Sequence, residues 1–371
     1  MIHNTQLIQV VPTLVSGDAI SNYALALNKF CEDENILSLI IANRTAKDLP
    51  CKTYPLASLD SLIGQHGDKT VLLYHHSLGD ETVDALVASP SVLHIKRLMY
   101  YHNITPPHLL DPSSALASRA WLGIRQLDVL VQFFGEKGFA ASAYSAQDLI
   151  THKWKHVEIL PYMVSQNFVS LLTKAALHRK PFNIMTESPT LLYVGRITKH
   201  KGLESLIEVL SLIKRQKPFT QCKLILAGNT QLDPDYYQSL VKLCQEHWGT
   251  KYEDSVCFVG QQDMNGLAHY YSSSHLLVTA SRHEGFCMPL VEAMFASLPI
   301  VAMNFGAIGE TLKGGTGLVV DSDDCSVFAE ACITVLGDVT LQQKIISAQQ
   351  NARNRFTVDV QKTIMLKALE L

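Results

Sequence analysis

The chain has 371 residues, 47% of them hydrophobic and 18% charged, with a formal net charge of -3. Its length exceeds what one hydrophobic core usually supports, so two domains are expected. Lys+Arg 31 against Asp+Glu 34 gives no electrostatic basis for binding nucleic acid, and no apolar run reaches the length of a membrane span.

The N-terminus, Met-Ile-His-Asn-Thr, lacks the basic region of a signal peptide and runs straight into an apolar strand. Eight cysteines are scattered without a C-x-x-C pair, so they read as small buried hydrophobes of a reducing cytosol. The expectation is a cytoplasmic protein that is soluble or, at most, sits on a membrane surface.

In chain order, strands are expected at Leu7–Leu14, Leu37–Ala42, Thr70–His75, Ile95–His102, Phe139–Tyr144 and Val157–Pro161. Helices are expected between them at Ala19–Glu32, Glu81–Ala88 and Ala115–Leu130. A second series of strands follows at Leu191–Gly195, Lys223–Gly228, Val256–Gly260, Leu276–Ala280, Ile300–Met303 and Gly317–Val320. Apolar strands that alternate with amphipathic helices indicate parallel sheets covered on both faces, hence an α/β chain. In the helix at 202–215, Leu203, Leu206, Ile207, Leu210 and Ile213 make one apolar stripe. The expected division is a Rossmann-like domain over 1–170, a linker over 171–189, a second Rossmann-like domain over 190–350, and a C-terminal helix over 351–371 that packs back on the first. Ligands of such domains bind at the carboxyl ends of the strands, in a cleft.

The strongest chemical signal is Ser281-Arg-His-Glu-Gly-Phe-Cys-Met-Pro-Leu-Val-Glu292, after a strand. Pro289 suits the first turn of a helix. Glu284 then falls in the preceding loop and Glu292 about one turn inside. The amides of Gly285, Phe286, Cys287 and Met288 are placed to meet an anion at a helix N-terminus. On spacing alone, a loop with capping acids is as good a reading. A second signal is Tyr193-Val-Gly-Arg-Ile-Thr-Lys-His-Lys-Gly202, where Arg196 and Lys201 can grip phosphate oxygens. Basic residues at a helix start, where dipole complementarity favours acids, point to an anionic ligand.

Two further signals lie in the first half. Gly17, in the loop after the first strand, permits close backbone approach to a ligand, while Asp18 equally fits an N-cap. His102 and Asn103 fall at a strand end, with His102 suited to a sugar hydroxyl or a proton. His75 and His76 raise the same question. The strings Asp233-Pro-Asp235 and Asp321-Ser-Asp323 read as turns and helix caps rather than as metal ligands. Lys96-Arg97, Lys153-Trp-Lys155 and His178-Arg-Lys180 fit either peripheral contact with an anionic inner-membrane leaflet or a solvated face.

Together these residues resemble glycosyltransferase family 4, the retaining enzymes of GT-B fold. The string 282–294 is similar to that family's E-x7-E signature, and Val-Gly-Arg-Ile (194–197) with Lys201-Gly202 is similar to its diphosphate grip. The resemblance implies two Rossmann-like domains facing across a cleft. It assigns Glu284 to the donor-sugar hydroxyls, Glu292 to the ribose, and the backbone of Phe286, Cys287 and Met288 to sugar and phosphate. Arg196 and Lys201 would neutralise the leaving diphosphate, Gly17 would approach the phosphates, and His102 would lie near the reacting sugar. No cofactor and no divalent metal are implied.

Tyr-His-Asn-Ile-Thr-Pro (101–106) with His-Glu-Gly-Phe-Cys (283–287) is most similar to bacterial mannosyltransferases of polysaccharide synthesis. That implies hexose transfer from GDP-mannose to a saccharide or lipid-linked glycan acceptor. Two features depart from the pattern: Ser16-Gly17 stands where many relatives have Gly-Gly, and Gly309 rather than proline precedes Glu310. The rival readings are a nucleotide-sugar epimerase of the same shape and a non-catalytic nucleotide-sugar-binding subunit.

Overall fold

The computed structural model describes residues 5–15, 17–46, 49–177, 182 and 188–369. They form two compact units, Met1–Val164 with Val358–Leu371, and Ser165–Thr357.

The first unit is built on seven parallel strands, β1 (Gln6–Leu14), β2 (Leu37–Thr45), β3 (Thr53–Tyr54), β4 (Thr70–His76), β5 (Lys96–Tyr101), β6 (Lys137–Ala140) and β7 (His156–Ile159). Their order is β3-β2-β1-β4-β5-β6-β7. The second unit has six parallel strands, β8 (Thr190–Val194), β9 (Lys223–Ala227), β10 (Val256–Gly260), β11 (Leu276–Thr279), β12 (Ile300–Met303) and β13 (Leu318–Val320), in the order β10-β9-β8-β11-β12-β13. Both sheets are doubly wound. Each has its topological switch point beside its own first strand, between β1 and β4 and between β8 and β11, where loops diverge and leave a crevice.

Burial explains the strand assignments. Every residue of β4, β11 and β12 is buried, as strands covered on both faces require. The helix Leu203–Lys214 buries its whole stripe, Leu203, Leu206, Ile207, Leu210 and Ile213. Each such side chain contributes about 2 kcal/mol of burial free energy.

Three expectations need correction. Residues 171–177 are no linker, because the helix Gln166–Leu177 runs through them and packs against the helices Met264–Ser273 and Met288–Phe295. Its apolar face supplies the reason: a partly apolar dodecapeptide with a surface to cover stays helical. Second, β6 ends at Ala140 rather than Tyr144, because the Ser142 side chain accepts from the Ser145 amide at 3.0 Å and starts the helix Ala143–Thr151. Third, residues 351–371 do not act as one piece. Residues 353–356 form a turn in the second unit, and only the helix Val358–Leu369 belongs to the first. There the Tyr23 hydroxyl donates to Met365 Sδ at 3.6 Å and Lys362 pairs with Glu34 at 2.7 Å.

No single helix among the described residues is long and apolar enough to cross a membrane. The basic clusters are partly engaged within the fold. Arg97 lies over the Phe133 ring at 4.8 Å, Lys155 pairs with Glu136 at 2.6 Å, and Trp154 is buried in the core. The cluster 178–180 lies outside the described residues.

Candidate active site

In the second unit the two strongest motifs meet at the switch point. Arg196 and Lys201 lie on the loop and turn after β8, and Glu284–Glu292 follow β11, the strand paired with β8. The close approach of the two loops depends on glycine. Gly202 has φ +65°, and a Cβ there would stand 2.3 Å from the Ala280 carbonyl oxygen. Gly228, at the end of β9, would place a Cβ 1.9 Å from the Gly195 carbonyl oxygen. A side chain at either position would push the loop after β8 out of place.

Lys201 and Glu284 form an ion pair of 2.7 Å, with their side chains only 11% and 12% exposed. Burial pushes the Glu284 carboxyl up, but the Lys201 ammonium and the hydrogen bonds from Lys201 and Ser281 outweigh it and hold the carboxyl below its ordinary range. Glu284 is therefore an ionised acceptor already oriented by a cation. The Arg196 side chain is exposed, and its carbonyl is held by the Tyr193 hydroxyl at 3.0 Å.

His200, between these basic residues, is buried, and its Nε2 has no hydrogen-bond partner. Burial, then the charges of Lys201 and Arg196, depress its pKa to about 2, so it is neutral.

Cys287 takes a left-handed conformation, φ 71° and ψ 75°, at the N-cap of the helix Met288–Phe295, which carries Pro289 in its first turn. A non-glycine residue held there costs on the order of 1–3 kcal/mol, a strain that clusters at ligand-binding loops. The loop is over-determined from outside. The Ala307 amide donates to the Glu284 carbonyl at 2.8 Å, and the Thr311 hydroxyl donates to the Phe286 carbonyl at 2.9 Å. Gly306, with φ +65°, would place a Cβ 2.2 Å from the Glu284 carbonyl oxygen. Glu292 is half-buried, and burial pushes its carboxyl up to about 7, against the Tyr271 hydroxyl that donates to it at 2.6 Å.

Glu284, Lys201, Arg196 and the segment Gly285–Glu292 are thus neighbours, whereas Gly17 and His102 belong to the other unit. Gly17 is exposed with φ +79°, and Ser16 lies outside the described residues. Asp18 takes the capping role, accepting from the Ser21 amide at 3.0 Å. His102 is buried with both ring nitrogens engaged: Nε2 lies 2.8 Å from His75 Nδ1, and Nδ1 lies 2.6 Å from the Tyr162 hydroxyl. Burial holds its pKa well below the ordinary value. One aspartate of each D-x-D string serves local structure. Asp233 caps the helix Pro234–Trp248, and Asp321 accepts from the Asn304 side-chain amide.

Reading the sequence missed Gly306, Tyr193, Tyr271 and Tyr162. A glycine in a loop after a strand was the one available signal for Gly306. Tyr271 and Tyr162 act across 21 and 60 residues of chain, on partners that only the fold brings near.

Residues 174–352 match the family described as "Glycosyl transferases group 1". Among curated relatives, the alpha-D-kanosaminyltransferase of Streptomyces kanamyceticus is 28% identical over 52% of this chain and 48% of its own length. The O-antigen chain mannosyltransferase B of Escherichia coli is 27% identical over 40% of this chain and 36% of its own. The matches thus span less than half the length of these relatives. Among solved structures, Anabaena HepE in complex with UDP-glucose superposes with a TM-score of 0.73 at 18% identity, covering 99% of this chain and 100% of that one. The two doubly wound sheets are those of the GT-B architecture, and residues 174–352 are similar to the group 1 glycosyl transferases.

Proposed function

We propose that the chain transfers a hexose, mannose from GDP-mannose, with retention of configuration, to a saccharide or lipid-linked glycan of a cell-surface polysaccharide. The observation that supports this reading best is the buried Lys201–Glu284 pair at the switch point of the second unit, flanked by Arg196. Transfer requires charge to be stabilised on a departing diphosphate while a sugar hydroxyl is held fixed. Arg196 and Lys201 supply the first, with Lys201 preorganised where water screens it little. Glu284, ionised and oriented by Lys201, supplies the second as an acceptor for donor-sugar hydroxyls.

The backbone of Gly285, Phe286, Cys287 and Met288 lies against sugar and phosphate in this reading, and Glu292 takes the ribose. Gly17 and His102 are assigned to the phosphates and to the reacting sugar. Same-face attack, with the leaving phosphate taking the acceptor proton, asks no protein carboxylate to act as nucleophile. Neutralisation of the diphosphate is assigned to side chains, so we read the reaction as metal-independent. The E. coli relative's printed name favours a mannosyl donor, while the UDP-glucose bound to HepE makes a uridine donor the rival to be tested.

The test is transfer by the full chain from GDP-mannose, UDP-glucose and ADP-glucose to a lipid-linked glycan fraction, read by mass spectrometry. The expected product gains one hexose from GDP-mannose, and Glu284→Gln lowers kcat about a hundredfold or more. Transfer from UDP-glucose alone would overturn the donor. Free epimerised nucleotide sugar without a glycosylated product would overturn the reaction.

A further inference from the structure

His102 stands at the end of a chain of hydrogen bonds whose direction is fixed by elementary donor and acceptor chemistry. The Gln9 amide lies 3.2 Å from the Ala24 carbonyl oxygen through its nitrogen. A carbonyl oxygen only accepts, so the NH2 group of Gln9 must face it, and Oε1 is left facing His75. That oxygen lies 3.1 Å from His75 Nε2 and likewise only accepts. His75 therefore carries its proton on Nε2, and its Nδ1 is a lone pair.

His75 Nδ1 lies 2.8 Å from His102 Nε2. Two lone pairs at that distance would repel, so His102 is protonated on Nε2. Its Nδ1 then accepts from the Tyr162 hydroxyl at 2.6 Å. All four side chains are buried, Gln9 and His75 completely, Tyr162 at 5% and His102 at 7% exposure. Rings fill the remaining space, with His75 and His102 stacked at 5.1 Å, Tyr100 at 4.5 Å from His102, and Tyr23 edge-on to both histidines. Burial keeps both imidazoles neutral, and reversing the whole chain would set the Gln9 oxygen against the Ala24 carbonyl.

We propose that Gln9, His75 and Tyr162 are positioning residues that fix His102 as the neutral Nε2–H tautomer, so that a ligand hydroxyl meets only an accepting Nδ1, in exchange for the Tyr162 hydroxyl. His102 then holds a sugar hydroxyl and does not donate a proton to the leaving group. The role in transfer rests on the function proposed above; the tautomer does not.

The experiment uses the full chain labelled with 15N in its histidine rings, and long-range 1H–15N spectra with His75 and His102 assigned by substitution. The expected spectrum shows both as single Nε2–H tautomers. Gln9→Leu removes the anchor and should mix the tautomers of both rings. It should also lower kcat about tenfold while leaving the nucleotide Kd within about twofold. Tyr162→Phe, which keeps the ring in place, should leave His102 Nε2–H and move Nδ1 to the position of an unbonded lone pair. Should Gln9→Leu not fold, Tyr162→Phe carries the test of the tautomer through its Nδ1 shift, with His102 still Nε2–H.

A wild-type His102 protonated on Nδ1, or a mixture, overturns the assignment. Mixed tautomers in Gln9→Leu with unchanged kcat overturn the positioning role. A single Nε2–H tautomer in a chain that shows no transfer would sink the proposed function and leave the tautomer assignment standing.

Discussion

Lys201 and Glu284 illustrate how far residue identity alone can be read. Both were legible as chemistry-bearing, one from a basic residue at a helix start and the other from an acid in a loop before a proline. Their 2.7 Å pairing across 83 residues was not, because it depends on β8 and β11 being neighbours. Removing one member of a buried pair strands a charge and costs about 3–5 kcal/mol. Lys201→Met should therefore lower stability by about 3 kcal/mol in urea titrations, and the double variant Lys201→Met, Glu284→Gln should recover a measurable part of it. Equal losses in single and double variants would mean that the pair contributes nothing in solution.

Glu292 makes a prediction with a sign. Its carboxyl in the folded chain titrates at about 7, above the ordinary 4.5. The folded state thus holds more protons than the unfolded one between those values. Glu292 therefore lowers stability progressively as pH rises through that window. Thermal unfolding of Glu292→Gln minus wild type should show a relative gain for the variant from pH 5 to pH 8. A pH-independent difference would place the carboxyl in its ordinary range. In the proposed function a ribose donates to Glu292, which favours the ionised form, so GDP-mannose should then bind wild type a few-fold more tightly at pH 8 than at pH 6. Glu292→Gln should lose that dependence.

At the scale of elements, the sequence patterns carried the sheets well and the connections poorly. Strands such as β4, β11 and β12 are continuous apolar runs, so their positions could be read locally. The helix Gln166–Leu177 was missed because the proline and polar residues that follow it suggested a linker, whereas its stability comes from helices about 100 and 120 residues further on. The turn after β12 was missed for the same reason: Gly306 is required by the backbone of Glu284, not by anything near it in sequence. Gly306→Ala should cost about 1–2 kcal/mol for the left-handed backbone alone, with about 1–3 kcal/mol more from the clash. Because the clash falls on the Glu284 loop, nucleotide-sugar affinity should fall with Tm. Calorimetry that finds the affinity of the folded variant unchanged would show that the loop is not braced from β12.

For the whole molecule, alternating strands and helices were enough to read two doubly wound domains, because such runs have few other ways to bury both sheet faces. The strand order β10-β9-β8-β11-β12-β13 adds what periodicity does not contain. It makes β8 and β11 neighbours and brings two separate motifs together, with Arg196, Lys201 and Glu284 at the carboxyl ends of adjoining strands. The site in the second unit is therefore the central claim, and calorimetric titration of the full chain with GDP, UDP and ADP tests it most directly. One of the three nucleotides should bind with 1:1 stoichiometry, and Arg196→Ala and Lys201→Met should each weaken it about tenfold, as loss of a hydrogen bond to a charged group does. Binding of none of the three, or binding indifferent to both substitutions in folded protein, would contradict the account.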